Sequence, residues 1–280
     1  MSRDRSLRGA VEPALASLGV AIEHCDRLPD DTGGAVVVVV DRATRQAAGE
    51  RLRAIAAPVV IVGDDLDDDE LISAMLEAPV SHLVADPHDG DLEITSEKLA
   101  SGDLFGLEKY LADGAAVSER SIASDADKRH AIGEVSAWAE ALGARPPLVY
   151  RLASVADELM MNALYDTPAT SAPHAMLRWA ADDRVLAVSV GDSFGMLRQR
   201  DVIDHVRRAR SERGRPLPGC DAPRGAGIGL YLVFGNVASL VVNVESGKRT
   251  EVVGLFDRTV PERPARPCAR SLHVFQATAP

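Results

Sequence analysis

A chain of 280 residues with 31 basic and 42 acidic side chains, net −11, is not built to coat nucleic acid or an anionic membrane, since its own field repels both. Hydrophobic residues make up 46% and aromatics 4%, so its cores must be aliphatic, and the length suits one large or two ordinary domains. Cys25, Cys220 and Cys268 are an odd, scattered set without metal spacing, the first twenty residues lack an apolar segment of signal-peptide length, and no apolar run approaches the roughly 20 residues of a membrane span; together these predict a cytoplasmic protein in a reducing compartment.

In chain order, RGAVEPALASLGV reads as a helix and VAIEHCD as a short strand. GGAVVVVVD is a buried strand of five consecutive valines ending at Asp41. RQAAGERLRAIAA is a helix and PVVIVGDD a second buried strand. DDDELISAMLEAP is a helix with an acid-rich first turn, as the helix dipole favours, and SHLVADP is a third strand. Continuous Val/Ile runs alternating with helices imply a parallel sheet covered on both faces, an α/β domain over residues 1–87. Residues 88–115 read as a polar connector with a short helix, FGLEKYLADG, stopped by Gly114.

Residues 116–280 change character. AAVSERSIAS alternates like a strand, and DADKRHAIGEVSAWAEALGA is a helix with Asp125 or Asp127 as its cap. VADELMMNALYDTP continues a helix whose apolar stripe is Leu152, Val155, Ala156, Leu159, Met160, Ala163 and Leu164, ended before Pro168. HAMLRWAADDRVLAVSVGDS is a hairpin turning at Asp182-Asp183, and LVVNVESGKRTEVVGLFD another turning at Ser246-Gly247. Between them a helix runs from about Gly229 to Ser239, and SLHVFQA adds a last strand. Helices gathered on an antiparallel sheet make an α+β sandwich.

Three features in this half carry chemistry. Glu158 and Asn162 lie four residues apart, one above the other on the flank of the apolar stripe. Such a pair fits a solvated flank, and it also fits a site in which Asn162 gives its carbonyl oxygen to Mg²⁺ and Glu158 accepts a proton one turn away. Asp192 stands where the strand RVLAVSV opens into GDSF; it fits a turn residue, or a carboxylate that accepts a hydrogen bond from an exocyclic amine such as adenine's. GAGIGL, Gly225 to Leu230, lets the backbone approach a ligand just before a helix whose free N–H groups suit phosphate. Its spacing is GxGxG and it follows a loop, so it is no dinucleotide fingerprint.

In this order, the three elements resemble the GHKL, or histidine-kinase-like, ATP-binding superfamily. ASVADELMMNALYDTP is most similar to the anti-sigma-factor serine kinase branch, whose helix has the form E-x-x-x-N-A. The resemblance implies a two-layer α/β sandwich over residues 116–280, with ATP and Mg²⁺ as cofactors. It makes Glu158 the catalytic base and Asn162 the magnesium ligand. Asp192 and Gly195 become the adenine side, and Gly225, Gly227, Gly229 and Leu230 the phosphate side. Thr250 falls in the late Gly/Thr box, and residues 196–224 form a lid. The family's adenine box reads D-x-G-x-G; here Asp192-Ser193-Phe194-Gly195-Met196 keeps the Asp and one glycine.

His130, in KRHAIGEV, lacks the acidic neighbour of a phosphoacceptor histidine, and His82, His88, His174 and His205 are no better placed. Any phosphoryl acceptor is therefore expected on another protein, or there is none. The first half resembles a response-regulator receiver domain, with Asp41 where that family carries its phosphoacceptor. It lacks the family's acidic pair and late Lys and carries Gly63 at the usual Ser/Thr position, which favours a docking pseudo-receiver. The run GDDLDDDE reads more simply as a strand end and acidic helix start than as a metal site. Two functions follow from the resemblance. One is a serine/threonine protein kinase acting on a regulatory protein; the other is a nucleotide-binding or pseudo-ATPase adaptor that switches partners without turnover. Pairing into a homodimer is an analogy with the same branch.

Overall fold

The computed structural model describes residues 5–16, 18–29, 32–63, 73–75, 80–87, 89–165, 172, 174–211, 228–259 and 270–277. The fold class is mixed α/β, and the chain divides into two compact units, Met1–Leu104 with Ala269–Val274, and Phe105–Cys268 with Phe275–Pro280.

In unit 1, β1 (Val38–Asp41), β2 (Val59–Val62) and β3 (Val80–Val84) are parallel, with Val38 opposite Val59 and Ile61 opposite Leu83. All four residues of β2 are buried, as a parallel strand covered on both faces requires. Helix α1 (Arg5–Ala16) packs Ala14 and Leu15 onto Val39, Val60, Val62 and Val84. Helix α2 (Arg42–Ala48) follows β1 directly and runs into a 3-10 turn at Gly49–Ala54.

Unit 1 departs from the sequence expectation in three places. VAIEHCD forms no strand, because no neighbour offers it a ladder; it is tied to α1 instead by His24–Glu12 at 2.7 Å and Arg8–Asp26 at 2.5 Å. Residues 88–101 are not merely a connector: α3 (Asp91–Ser101) is bounded by left-handed Gly90 and Gly102 and buries Leu92 with the polar Asp91, Thr95, Ser96 and Lys98. Third, β9 (Ser271–Gln276) brings its first residues to this unit, antiparallel to β3, with His273 opposite His82 and Leu272 opposite Leu83. Most of DDDELISAMLEAP and the acidic run after Gly63 lie outside the described residues.

Unit 2 is an antiparallel sheet carrying helices. Its strands are β4 (Ser118–Ile122), β5 (Ala175–Ala181), β6 (Val185–Asp192), β7 (Ser239–Glu245) and β8 (Arg249–Asp257), in the order β7-β8-β6-β5-β4. Both predicted hairpins form. Asp182 Oδ1 accepts from the N–H groups of Arg184 and Val185 at 2.8 and 2.7 Å, and Gly247 supplies the positive φ of the second turn. The helices are α4 (Asp125–Ala141), α5 (Pro146–Tyr165), α6 (Gln199–Ser211) and α7 (Ile228–Asn236). The cap of α4 is Ser124 rather than Asp125 or Asp127: its Oγ accepts from Asp127 N–H, and Asp127 Oδ2 accepts in return from Ser124 Oγ and Ala123 N–H. Helix α7 stops at Asn236 because Ser239 already begins β7.

Helix α5 is central, packed on β5, β6 and β8 and flanked by α4 and α7. Its stripe Leu152, Val155, Ala156, Leu159 and Met160 is at most 2% exposed. Gly254 of β8 admits this close packing: a Cβ there would meet Val237, Val155 and Val188 at 3.1, 3.3 and 3.7 Å.

Candidate functional site

Glu158 and Asn162 lie on the flank of α5, both partly buried. Gly229, in the first turn of α7, comes directly onto them. A Cβ on Gly229 would stand 2.7 Å from Glu158 Oε2, 3.2 Å from Asn162 Oδ1 and 3.4 Å from Asn162 Nδ2. Three of the residues singled out in the sequence therefore meet at one point, and the absent side chain of Gly229 makes that meeting sterically feasible. Leu230, next to it, is buried at 5% exposure, which makes it a packing residue of α7. Gly225 and Gly227 lie outside the described residues, as do residues 212–224 of the expected lid.

The electrostatics of this corner are uneven. Asn162 Nδ2 is buried and finds no hydrogen-bond partner among the described residues. Burial pushes the Glu158 carboxyl above its ordinary value, and the neighbouring Asp157 adds to the rise; Lys128 opposes both. Lys128 reaches in from α4, its Nζ 2.8 Å from Asp157 Oδ1 and 2.8 Å from Met161 Sδ. Nothing in the spacing of KRHAIGEV marks Lys128, because its role comes from a neighbouring helix.

Asp192 ends β6 and Thr250 is the second residue of β8, directly opposite each other in the ladder. Gly254 faces α5, so the two-residue period of β8 turns Thr250 to the α5 side, and cross-strand pairing turns Asp192 the same way. Thr250 is 4% exposed, and its Oγ1 is a second buried polar atom with no partner among the described residues. Asp192 Oδ1 accepts from Phe194 N–H at 2.8 Å and Gly195 N–H at 3.2 Å, so the turn reading of Asp192 holds in this structure. Gly195 has φ +59 and rests on the backbone of the β7–β8 turn. A Cβ on it would overlap the Glu245 carbonyl oxygen and lie 2.7 and 2.9 Å from the Lys248 and Arg249 nitrogens.

The candidate residues thus form two groups on the helix-bearing side of the unit 2 sheet: Glu158, Asn162 and Gly229 on facing helices, and Asp192, Gly195 and Thr250 at one end of the β6–β8 ladder. Asp41 belongs to unit 1. It ends β1 and caps α2, accepting from Thr44 N–H at 2.6 Å. Among the described residues no group of three His, Cys, Asp or Glu side chains is placed to hold a metal ion, and none of their helices is long and apolar enough to cross a membrane.

No family model matches the chain, and no curated protein matches it. Among solved structures the chain is similar to one in the crystal structure of the SiaB-SiaC complex from Pseudomonas aeruginosa, at 15% identity and a TM-score of 0.34, over 50% of this chain and 88% of that one. A likeness of that size carries no assignment, and none is drawn from it.

Proposed function

We propose that unit 2 is a GHKL-type domain that binds ATP with Mg²⁺ and transfers the γ-phosphoryl group to a serine or threonine of a regulatory protein partner. The observation that carries this reading is the approach of Gly229 to Glu158 and Asn162, an acid, an amide and a side-chain-free backbone at a helix start.

The donor set fits the ligand. Asn162 offers one carbonyl oxygen to a hard cation, while its buried Nδ2, without a partner among the described residues, is a donor suited to a phosphate oxygen. Magnesium, when bound, neutralises charge on the phosphate oxygens. Glu158 is the base: a carboxyl raised by burial and by Asp157 takes a proton from a hydroxyl more readily than an ordinary one. Thr250 Oγ1 and the second oxygen of Asp192 offer polar groups to the adenine side. Phosphoryl transfer on this plan relies on positioning and charge rather than on a covalent enzyme intermediate.

A non-catalytic reading has its own support. Asp192 Oδ1 is already taken by its own turn, and the box that follows holds a single glycine. That arrangement fits a nucleotide-binding or pseudo-ATPase adaptor that changes partners without turnover. Unit 1, with Asp41 committed to capping α2, suits docking in either case.

Thermal unfolding with and without ATP and Mg²⁺ tests both. A ligand at 100 times its Kd adds about 2.7 kcal/mol. No shift in the wild-type protein would sink both ATP-based readings. A shift without transfer from γ-³²P-ATP to candidate partners would leave the adaptor alone, and transfer that survives in Glu158→Ala would remove the assigned base.

A further inference from the structure

Strand β8 carries two sets of contacts on its two faces over three consecutive residues. Thr250 faces α5 and the candidate nucleotide site. Arg249 and Glu251, its neighbours, point the other way, and both hold the first two residues of unit 2. The Arg249 guanidinium lies over the Phe105 ring, 3.8 Å from its centroid. Gly106 N–H donates to Glu251 Oε2 at 3.0 Å, an oxygen that also accepts from Asn243 Nδ2 at 3.1 Å. Glu251 is 7% exposed and Gly106 is buried, so this bond is shielded from water and its geometry is tightly held.

From Arg249 the contacts continue to the adenine side. The Arg249 backbone nitrogen lies against Gly195, which has no room for a Cβ. Gly195 accepts from Gly247 N–H at 3.1 Å and donates to Asp192 Oδ1 at 3.2 Å. Arg249 is further fixed by Glu245, its Nε 3.0 Å from Oε2. A series of contacts therefore runs Phe105, Arg249, Gly195, Asp192, its first link made by the half-exposed Arg249 guanidinium that Glu245 holds. Each link is a close contact or a hydrogen bond, and the middle of the series is backbone that cannot yield without moving the turn.

We infer that Phe105 and Gly106 are positioning residues for the adenine side of the nucleotide site, acting through Arg249 and Glu251, so that strain on the chain entering unit 2 is read as a change in nucleotide affinity. The inference rests on the nucleotide-binding reading above. It adds a regulatory input: the first of the three points at which the chain passes between the units, Leu104 to Phe105, leads straight into residues seated on the reverse of the strand that presents Thr250. Coupling of this kind is reciprocal, so nucleotide must tighten the seat of Phe105 and Gly106 as much as that seat tightens nucleotide.

The test uses the full chain. Hydrogen exchange of residues 105–111 is followed with and without ATP and Mg²⁺, and ATP affinity is measured for the wild type, Phe105→Ala and Phe105→Tyr. The expected result is slower exchange at Gly106 on nucleotide binding, an affinity about two- to fivefold weaker in Phe105→Ala, and recovery in Phe105→Tyr, which keeps the ring under the guanidinium. The exchange measurement needs no variant, so it stands if Phe105→Ala fails to fold. Nucleotide binding that leaves Gly106 exchange unchanged overturns the inference while leaving the ATP reading intact. A wild-type protein that binds no ATP removes both.

Discussion

Gly229 stands so close to Glu158 that the smallest side chain would put a carbon 2.7 Å from the carboxylate. Helix propensity alone says that Gly229→Ala should stabilise α7, by up to about 1 kcal/mol. Steric contact says that something must move, and the nearest atom is the tip of a flexible side chain, which moves at little cost. The two effects act on different observables. Unfolding temperature should hold or rise slightly, while on the proposed kinase reading phosphoryl transfer should fall at least about tenfold because the proposed base is displaced. Transfer at the wild-type rate in a well-folded Gly229→Ala would mean that the position of Glu158 is irrelevant to the chemistry.

Thr250 gives a cleaner separation of stability from binding. Its buried Oγ1 has no partner among the described residues, and such a group costs about 1–3 kcal/mol. Thr250→Val keeps the shape and removes the orphan. The ligand-free protein should gain about 1 kcal/mol, a rise of about 2–4 °C in Tm for a unit of this size, and lose ATP-dependent stabilisation. A hydroxyl with a purely structural role would make the substitution destabilising instead.

Unit 2 was largely readable from its sequence because its signals are local. Valine-rich strands, the Asp182 and Gly247 turns and the stripe from Leu152 to Met160 are set by near neighbours, and so is the four-residue spacing of Glu158 and Asn162. Unit 1 hid more. Helix α3 looks like a polar connector because its buried residues include Asp91, Thr95, Ser96 and Lys98, and two of these find partners on a strand about 180 residues further on. Hydropathy cannot register a polar face satisfied at that distance. The contact of Gly229 with α5 was invisible for the same reason: spacing shows which side chains share a helix, not which backbone comes to meet them.

The raised Glu158 carboxyl sets a direction for pH dependence. Burial is the main cause, with Asp157 second and Lys128 opposing. A carboxyl raised on folding favours its protonated form in the native state. Its contribution to stability is present below the unfolded value and is lost as pH rises through the folded one. At neutral pH the ionised Glu158 therefore costs stability, and Glu158→Gln should unfold at a higher temperature than the wild type there, the gain fading once the pH falls below the ordinary carboxyl value. On the proposed kinase reading, transfer should rise with pH through the raised value in the wild type and be absent in the variant. Thermal melts across a pH series separate the two effects; a Glu158→Gln protein less stable at neutral pH would show that the carboxylate is favourably held.

Unit 1 turns on a buried polar cluster that joins β9 to α3. His273 Nε2 is 3.1 Å from Asp91 Oδ2, His273 Nδ1 is 3.4 Å from Thr95 Oγ1, and the His82 ring stacks on His273 with centroids 5.7 Å apart. Burial would raise the Asp91 carboxyl, but His273, Ser271 and Lys98 outweigh it and hold it below its ordinary value. Burial, with His273 and Lys98 nearby, holds His82 well below its ordinary value. Both shifts are depressions, so both contributions are lost as pH falls; Asp89, pushed up to about 6 by burial and by Asp91, works the other way and partly offsets this acid lability. Breaking a buried pair costs about 3–5 kcal/mol, but the two ends are not equivalent. Asp91→Ala removes the carboxylate that His273 bonds and that lies near buried Lys98, whereas His273→Ala removes the ring and leaves Asp91 beside Lys98. Asp91→Ala should therefore be the more damaging, as read by hydrogen exchange of Val60 and Ile61 in the centre of the parallel strands. Equal losses would mean that the hydrogen bond, and not the charge balance around Lys98, holds the last strand in place.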